Sequence, residues 1–542
     1  MRLIRNLIPY RYFVWLFCGL AFMASLALWW WHPLIGATPA LLFGALTTLG
    51  FLDFFQKQQA IRRNYPIMAH FRFFFESIRP EIRQYFLESD TERIPFSRNQ
   101  RALVYQRAKN AVDKRPFGTL IDVYEEHYEW INHSVNTQHI SDTNFRVMIG
   151  EGNCAQPYSL SIYNISAMSF GALSANAIMA LNRGAKLGGF AHDTGEGSVS
   201  RYHREHGGDL ICQVGSGYFG CRNPDGSFSP ERFRETAAKP QIRMVEIKLS
   251  QGAKPGHGGV LPGAKVTAEI AAARGVPEGE DCISPAKHSA FDTPVELMHF
   301  IAQLRELSGG KPVGFKMCLG HPWEFFAICK AMLKTGIHPD YIVVDGAEGG
   351  TGAAPVEFTD HLGTPLHEGL VLVHNTLVGI NLRDRVKIGA AGKIVSAFDI
   401  ARAMALGADW CNSARGFMFA LGCIQAQTCH TGRCPTGVTT QSWLRQRALD
   451  PADKAVRVYN FHRNTMKALG EMVGAAGLTH PNQLRPHHIV RRVSVNEVAL
   501  VSALIPYLQP GDLLENRAEH PVYRMFWDMA SADSFSPVMV PT

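Results

Sequence analysis

Two uncharged apolar runs separated by a His-Pro dipeptide open the chain, and a long alternation of short apolar runs with glycine-rich loops follows. Residues 12–31 are rich in Phe, Leu, Ala and Trp, and at helical rise such a run crosses a hydrocarbon core of about 30 Å. His32-Pro33 interrupts it, and residues 34–52 form a second uncharged run that ends at Asp53. The pattern predicts a membrane-spanning helical hairpin over residues 1–56, with Pro39 marking a kink near the start of its second helix. Arg2, Arg5 and Arg11 precede the first run, and Lys57, Arg62 and Arg63 follow the second. Positive flanks of this kind place both ends in the cytoplasm, with Trp29, Trp30 and Trp31 at the far interface. The expected location is the cell inner membrane, with two spans and a cytoplasmic catalytic part. A cleaved signal peptide would need a small-x-small site after the first run, which is missing. A hairpin buried in a soluble core would seldom stay uncharged for so long.

Residues 57–150 carry many aromatics and charges, as in Phe71-Arg72-Phe73-Phe74-Phe75, with helical spacing in places. They are expected to form a helical linker or extension. From about Tyr158 the pattern changes to short apolar runs at 160–167, 209–214, 244–249, 313–317, 341–344, 386–388 and 408–412, alternating with helical segments. Such alternation over residues 151–441 predicts an α/β fold of the (β/α)8 TIM-barrel type, followed by a C-terminal extension over 442–542. In that architecture chemistry belongs at the C-terminal ends of the strands.

Polar residues at those ends are therefore candidates. Met168 and Ser169 follow the first run, while Gln213, Lys248 and Lys316 close three others. A lysine ending a buried strand is costly unless it meets an anion or an electron-rich acceptor. Two in equivalent positions favour a cofactor over a structural ion pair. The loop Asp345-Gly346-Ala347-Glu348-Gly349-Gly350-Thr351-Gly352 has little side-chain bulk where it turns, so its N–H groups can close on a phosphate. Gly389-Ala390-Ala391-Gly392-Lys393 and Ser413-Ala414-Arg415-Gly416 follow the next two strands, and barrel phosphate sites are often built from the last loops. One phosphate site beside an apolar wall points to FMN. No Gly-x-Gly-x-x-Gly opening a Rossmann unit stands out.

Gln251 and Lys254 lie in a further glycine-rich stretch, where they either hold a carboxylate substrate or form a solvated loop. Glu196, in His192-Asp193-Thr194-Gly195-Glu196-Gly197, is either a loop-ordering carboxylate or an acid/base. Cys423, Cys429 and Cys434 share a polar loop that turns at Gly432 and stiffens at Pro435. Three soft thiolates at this spacing can converge on an iron–sulfur cluster, and three ligands favour the [3Fe-4S] form. A structural zinc needs a fourth ligand, and the only one nearby, His430, adjoins Cys429. The bland alternative is three unrelated buried cysteines.

Length allows one large α/β domain with extensions or two to three smaller domains. The net charge of +7 is spread along the chain, without the aromatic interleaving or module that nucleic-acid binding requires, which leaves attraction to a membrane surface. Eleven cysteines without dense regular spacing point to a reducing compartment.

Five stretches together resemble the FMN-binding synthase domain of the glutamate synthase large subunit: Ser166-Ala167-Met168-Ser169-Phe170-Gly171-Ala172-Leu173-Ser174, Asp193-Thr194-Gly195-Glu196-Gly197, Gln251-Gly252-Ala253-Lys254-Pro255-Gly256, Gly349-Gly350-Thr351-Gly352-Ala353, and the cysteine loop through Gln441. The shorter glutamate-synthase-like proteins with a hydrophobic N-terminus are the more similar group. The resemblance implies a barrel holding FMN and a [3Fe-4S] cluster that reduces the 2-iminoglutarate formed from 2-oxoglutarate and ammonia. By matching position, Cys423, Cys429 and Cys434 would ligate the cluster. Ser169, Gln213, Lys316, the 349–352 loop and Gly392 would lie on FMN, and Lys248, Gln251 and Lys254 near the flavin and the keto acid. Glutamate synthases begin with an amidotransferase domain, whereas this chain starts Met1-Arg2 and enters an apolar run, so ammonia is expected from another source, such as a partner. His257 and Lys287-His288-Ser289 depart from the family pattern and bear on substrate identity.

The leading expectation is thus a membrane-anchored FMN and iron–sulfur oxidoreductase acting in glutamate biosynthesis, fed by an electron-donor protein or a membrane carrier. The alternatives are an oxidoreductase for another 2-oxo or amino acid that exchanges electrons with a membrane carrier, and a membrane redox sensor without turnover.

Overall fold

The computed structural model describes residues 10–92 and 95–539, so Arg2 and Arg5 lie outside the described residues. The chain divides into two compact units, the first ending at Glu92.

In the first unit, helix α1 (Phe13–Trp31) stops at His32, whose backbone is non-helical, and helix α2 (Pro33–Phe55) begins on Pro33. Proline suits that first position because its missing N–H would have had no partner there. The helix runs continuously through Pro39. Small residues line the contact between the two helices. Trp15 packs over Gly50, where a Cβ would fall 2.1 Å from the indole, and its Nε1 donates to the Thr47 carbonyl at 3.2 Å. The most apolar stretches of the two helices have mean hydropathy of 1.9 and 1.6, with only 11% and 17% buried inside the protein. Both helices are long and apolar enough to cross a membrane. Helix α3 (Ala69–Ile82) follows and continues into a π-helical turn at Arg83–Leu87.

In the second unit eight parallel strands close into a barrel: β1 (Tyr163–Ile165), β2 (His192–Asp193), β3 (Leu210–Val214), β4 (Ile242–Lys248), β5 (Val313–Met317), β6 (Tyr341–Asp345), β7 (Lys387–Ala391) and β8 (Trp410–Ser413). Each pairs with its sequence neighbour, and β8 returns to β1 through Cys411↔Tyr163. The interior is filled: Gly389 on β7 leaves the space occupied by Trp410, whose indole would lie 2.6 Å from a Cβ there.

Two features differ from the apolar pattern. The run at 160–167 is split, because Tyr158–Ser161 pairs antiparallel with Arg146–Ile149 outside the barrel before β1 begins. Strand β2 is two polar residues long, so it carries no apolar run, yet it is fully buried between β1 and β3.

Helical spacing in residues 57–150 holds only as far as α4 (Arg98–Ala108), which starts on a Ser97–Gln100 capping box. Beyond it the chain is largely irregular and takes its order from distant partners. Glu129–Ile131 pairs antiparallel with Ile489–Ser494. The Glu129 carboxylate binds Arg402 at 2.7 Å and Arg491 at 2.6 Å, which ties the N-terminal extension, a barrel helix and the C-terminal extension together. Helix α5 (Ala175–Gly188) and the long α6 (Pro451–Ala475) pack closely at Gly184, where a Cβ would lie 2.5 Å from Val458. Asn464 of α6 also donates to the Arg107 carbonyl of α4 at 2.9 Å.

Candidate active site

A cavity of about 730 Å³ opens at the C-terminal ends of the strands, and all eight strands or the loops after them line it. This is the position and size expected of a ligand site in such a barrel. Met168 and Ser169 come from the loop after β1, Glu196 from that after β2, Gln213 from β3, and Lys248, Lys316 and Asp345 from β4, β5 and β6. The 349–352 loop follows β6, Gly392 follows β7 and Arg415 follows β8, and Gln251 and Lys254 complete the lining. Of the residues expected on the cofactor, Gly416 alone is elsewhere. It is buried in the helix Arg415–Leu421, where a Cβ would press on Ser413 Oγ at 2.6 Å and on Tyr163 Oη at 3.2 Å, so it serves helix packing.

Charge in the cavity is paired across strands. Lys248 Nζ donates to Glu196 Oε1 at 2.9 Å, and Ser284 Oγ donates to Glu196 Oε2 at 3.2 Å. Burial would raise the Glu196 carboxyl, but Lys248, Arg274 and Ser284 outweigh it and hold the group below the ordinary glutamate value. Lys316 is buried and lines the cavity, and no hydrogen bond or ion pair of its ammonium is found among the described residues. Burial works against its charge, but Asp345, Glu246, Asp193 and Glu196 raise it overall. Beneath the cavity floor Gln213 Nε2 donates to Glu246 Oε1 at 2.7 Å, and burial together with Asp193 pushes Glu246 well above the carboxylate range. Lys254 donates to the Ala353 carbonyl at 3.2 Å, and burial, reinforced by Lys248, lowers it to about 8.

The glycine-rich wall is held by its neighbours. Asp345 Oδ2 accepts from the Gly252 N–H at 2.9 Å, and Glu348 Oε2 accepts from the Leu366 N–H at 3.0 Å. Gly252 lies so close to the Gly346 carbonyl that a Cβ would fall 1.8 Å from its oxygen. A Cβ on Gly350 would sit 2.9 Å from the Arg415 guanidinium. Bare backbone and a cation thus meet at one end of the cavity.

Cys423 and Cys429 line this cavity, and all three loop cysteines line a smaller one beside it, with Thr428, Thr436 and Thr439. All three are free thiols. Among the described residues no group of three or more His, Cys, Asp or Glu side chains is drawn together as a metal site. The N-terminal extension braces the loop, for Tyr105 Oη donates to the Cys423 carbonyl at 2.6 Å and Gln425 Nε2 to that of Phe96 at 3.2 Å. Lys265, itself buried, donates to the carbonyls of Cys429 at 3.2 Å and Ala172 at 3.3 Å.

Arg274, Lys265, Ser284 and Phe96 do not stand out in the sequence. Arg274 ends a short helix and reaches Ser169 Oγ at 3.3 Å and the Phe170 carbonyl at 3.1 Å. No motif marks it, and only its burial beside the cavity reveals it. The departures His257 and Lys287 are not among the lining residues; Lys287 is exposed and paired with Asp292 at 2.8 Å. His288 is buried and bonds the Lys248 carbonyl through Nε2 at 2.9 Å, which holds the end of β4 from behind.

Residues 101–479 match the conserved region in glutamate synthase. The chain belongs to the glutamate synthase family. It is 37% identical to the glutamate synthase large subunit-like protein YerD of Bacillus subtilis, over 83% of this chain and 93% of that protein. It is 38% identical to the archaeal glutamate synthase [NADPH] of Methanocaldococcus jannaschii, over 62% of this chain and 63% of that one. The chain therefore spans nearly all of the first relative but under two thirds of the second. Among solved structures, a flavocytochrome b2 with sulfite bound superposes with a TM-score of 0.42 at 10% identity, over 84% of this chain and 92% of that one. Family membership makes this glutamate-synthase-like protein an oxidoreductase of the kind acting on CH–NH2 donors.

Proposed function

We propose that this glutamate-synthase-like protein is a membrane-anchored FMN and iron–sulfur oxidoreductase that reduces the imine formed from a 2-oxo acid, 2-oxoglutarate first, and externally supplied ammonia. The observation that carries the reading is the Lys316 ammonium, without a hydrogen bond or ion pair among the described residues, on a cavity that also holds the Lys248–Glu196 pair and the Gly350–Arg415 corner.

The residues present suit the proposed groups. At the Gly350–Arg415 corner, backbone N–H groups and a guanidinium match a phosphate, and no Cβ blocks the approach. Ser169, Gln213 and Lys316 would hold an isoalloxazine, with Met168, Asp345 and Gly392 around it. Three free thiols on one small cavity suit a soft iron–sulfur centre. Bound FMN would supply the electron pair for imine reduction, and the cluster a one-electron relay. The chain's own contribution is electrostatic. Lys248 stabilises negative charge developing beside it, and Lys254 and Gln251 hold the substrate carboxylate. Glu196 fixes the Lys248 ammonium and stays ionised beside it.

Ammonia and electrons come from outside in this reading. Some relatives carry NADPH in their names, and here the donor is a separate protein or a membrane carrier. The two apolar helices, so little buried in protein, support a bilayer anchor, and the basic residues Arg11, Lys57, Arg62 and Arg63 beside them support a catalytic unit in the cytoplasm. They also favour a second reading, in which the same cavity serves another amino or oxo acid and exchanges electrons with a lipid-soluble carrier.

The test is anaerobic reduction of the purified FMN-loaded protein followed by addition of 2-oxoglutarate and ammonium. Flavin reoxidation with stoichiometric glutamate supports the proposal; no glutamate from fully loaded protein rejects it. Reduction of the oxidised flavin by another amino acid, followed by its reoxidation by a quinone, would establish the second reading.

A further inference from the structure

Helix α3 carries an apolar stripe that is exposed at Met68, Phe71 and Phe75 and half-buried at Ile78 and Ile82. Met68, Phe71, Phe75, Ile78 and Ile82 recur at alternating spacings of three and four residues, which places them on one face of the α-helix, and Tyr85 follows in the π-helical turn. Met68, Phe71, Phe75 and Tyr85 are 45%, 57%, 58% and 53% exposed, and Phe74 and Phe86 beside them are exposed as well. Ala69, on the opposite side, is buried. Arg72, Arg79 and Arg83 flank the stripe, with Arg72 bonded to Glu76 at 3.0 Å and Arg83 paired with Glu92. Between positions 57 and 87 six basic residues stand against two acidic ones.

The start of this helix is tied to the end of the hairpin. Asp53 lies in the last turn of α2, where the uncharged run ends, and is 3% exposed. Its carboxylate accepts the Ile67 N–H at 3.0 Å and pairs with His70 Nε2 at 2.9 Å. Ile67 takes a left-handed backbone, φ 67°, which a β-branched residue adopts only when its surroundings impose it. A span that ends at Asp53 ends at the membrane surface, so the Asp53 bonds place the first turn of α3 at that level.

We infer that α3 and its π-helical continuation lie in the plane of the membrane as an interfacial helix, with the Phe71–Phe75–Ile78–Ile82 face in the acyl–headgroup boundary and the flanking arginines on anionic headgroups. Exposed aromatics beside arginines on a helix tied through Asp53 to the end of an apolar hairpin have the chemistry such helices use. The inference rests on the hairpin spanning the bilayer.

The test uses the full chain in nanodiscs of phosphatidylethanolamine and phosphatidylglycerol, carrying the photocrosslinker p-benzoylphenylalanine at Leu41, Phe75 or Ser77 in turn. Leu41 reports on the span, and Ser77 on the face of α3 opposite the stripe. Lipid adducts severalfold more abundant at Phe75 than at Ser77, with Leu41 also labelled by lipid, are expected. Lipid adducts at Leu41 but equal yields at Phe75 and Ser77 would overturn the interfacial helix while leaving the span intact, as would a Phe75 crosslink to protein, whether to the barrel or to a second copy. No lipid adduct at Leu41 would overturn the span, and the inference with it.

Discussion

Lys248 at the end of β4 and Glu196 in the loop after β2 meet at 2.9 Å across the intervening strand β3. Because Ser284 and Arg274 also support the carboxylate, Glu196 stays ionised and keeps a cation aimed into the cavity. Replacing Lys248 with Met keeps the length of the side chain and removes the charge. Loss of a stabilising group aimed at developing charge is worth about 100-fold or more in rate. Rapid-mixing measurement of flavin reoxidation by 2-oxoglutarate and ammonium should register that loss in Lys248→Met, with flavin retained. Glu196→Gln should fall in the same direction by less. Wild-type rates in both would remove the pair from the chemistry.

Lys254 supplies a pH dependence. Its folded-state value of about 8 lies below the ordinary lysine value of 10.5, so its charge is lost as pH rises through about 8. Affinity for a dicarboxylate should weaken across that window and be flat in Lys254→Met. Stability runs the opposite way. Between about 8 and 10.5 the unfolded chain holds the proton that the folded chain has released, so this group makes folding more favourable as pH rises. Substrate titrations and denaturant melts at matched pH values read the two effects separately.

The barrel was readable because seven of its strands carry apolar runs that end in polar or glycine-rich loops, a pattern that burial inside helices dictates. Strand β2 was not, since His192 and Asp193 owe their place to pairing with β1 and β3 and not to their own composition. The cavity lining followed the strand ends closely, except that Gly416 falls just off it, packed against Tyr163 and Ser413. Arg274 and Lys265 reach the site through bonds to Ser169 and to the Cys429 carbonyl. Contacts of that kind leave no periodic trace in a sequence. The same holds for Glu129, whose partner Arg402 is 273 residues away.

That Glu129 clamp makes a stability prediction. The carboxylate is 5% exposed and carries two arginines, so Glu129→Gln leaves two partly buried cations without their counter-ion. Breaking a buried ion pair on one side costs about 3–5 kcal/mol. Denaturant unfolding followed by near-UV circular dichroism should show a loss of this order. A change within about 0.5 kcal/mol, typical of surface substitutions, would mean that the extensions do not depend on the clamp.

Gly350 tests the phosphate corner. Its Cβ would lie 2.9 Å from the Arg415 guanidinium, the flexible end of a side chain, so Gly350→Ala can fold by pushing Arg415 aside. The displaced guanidinium would no longer meet the phosphate in its present place. FMN affinity, read by flavin fluorescence on titrating the apoprotein, should fall severalfold or more, whereas riboflavin, which lacks the phosphate, should bind wild type and variant alike. Equal weakening for both flavins would point instead to general distortion of the wall.

The cysteine loop gives the most direct test of the redox reading. Cys423, Cys429 and Cys434 line one small cavity, and Cys423 and Cys429 also reach the larger one, so a cluster held there would border the flavin site. Cys429→Ser removes one thiolate of three and changes little else, since Cys429 is only partly buried and its carbonyl bond from Lys265 remains. Cys411→Ser, a buried thiol on β8, serves as the control. Iron content and the electron paramagnetic resonance signal of the oxidised protein should vanish in Cys429→Ser and persist in Cys411→Ser. Iron retained in Cys429→Ser would remove that residue from the ligand set.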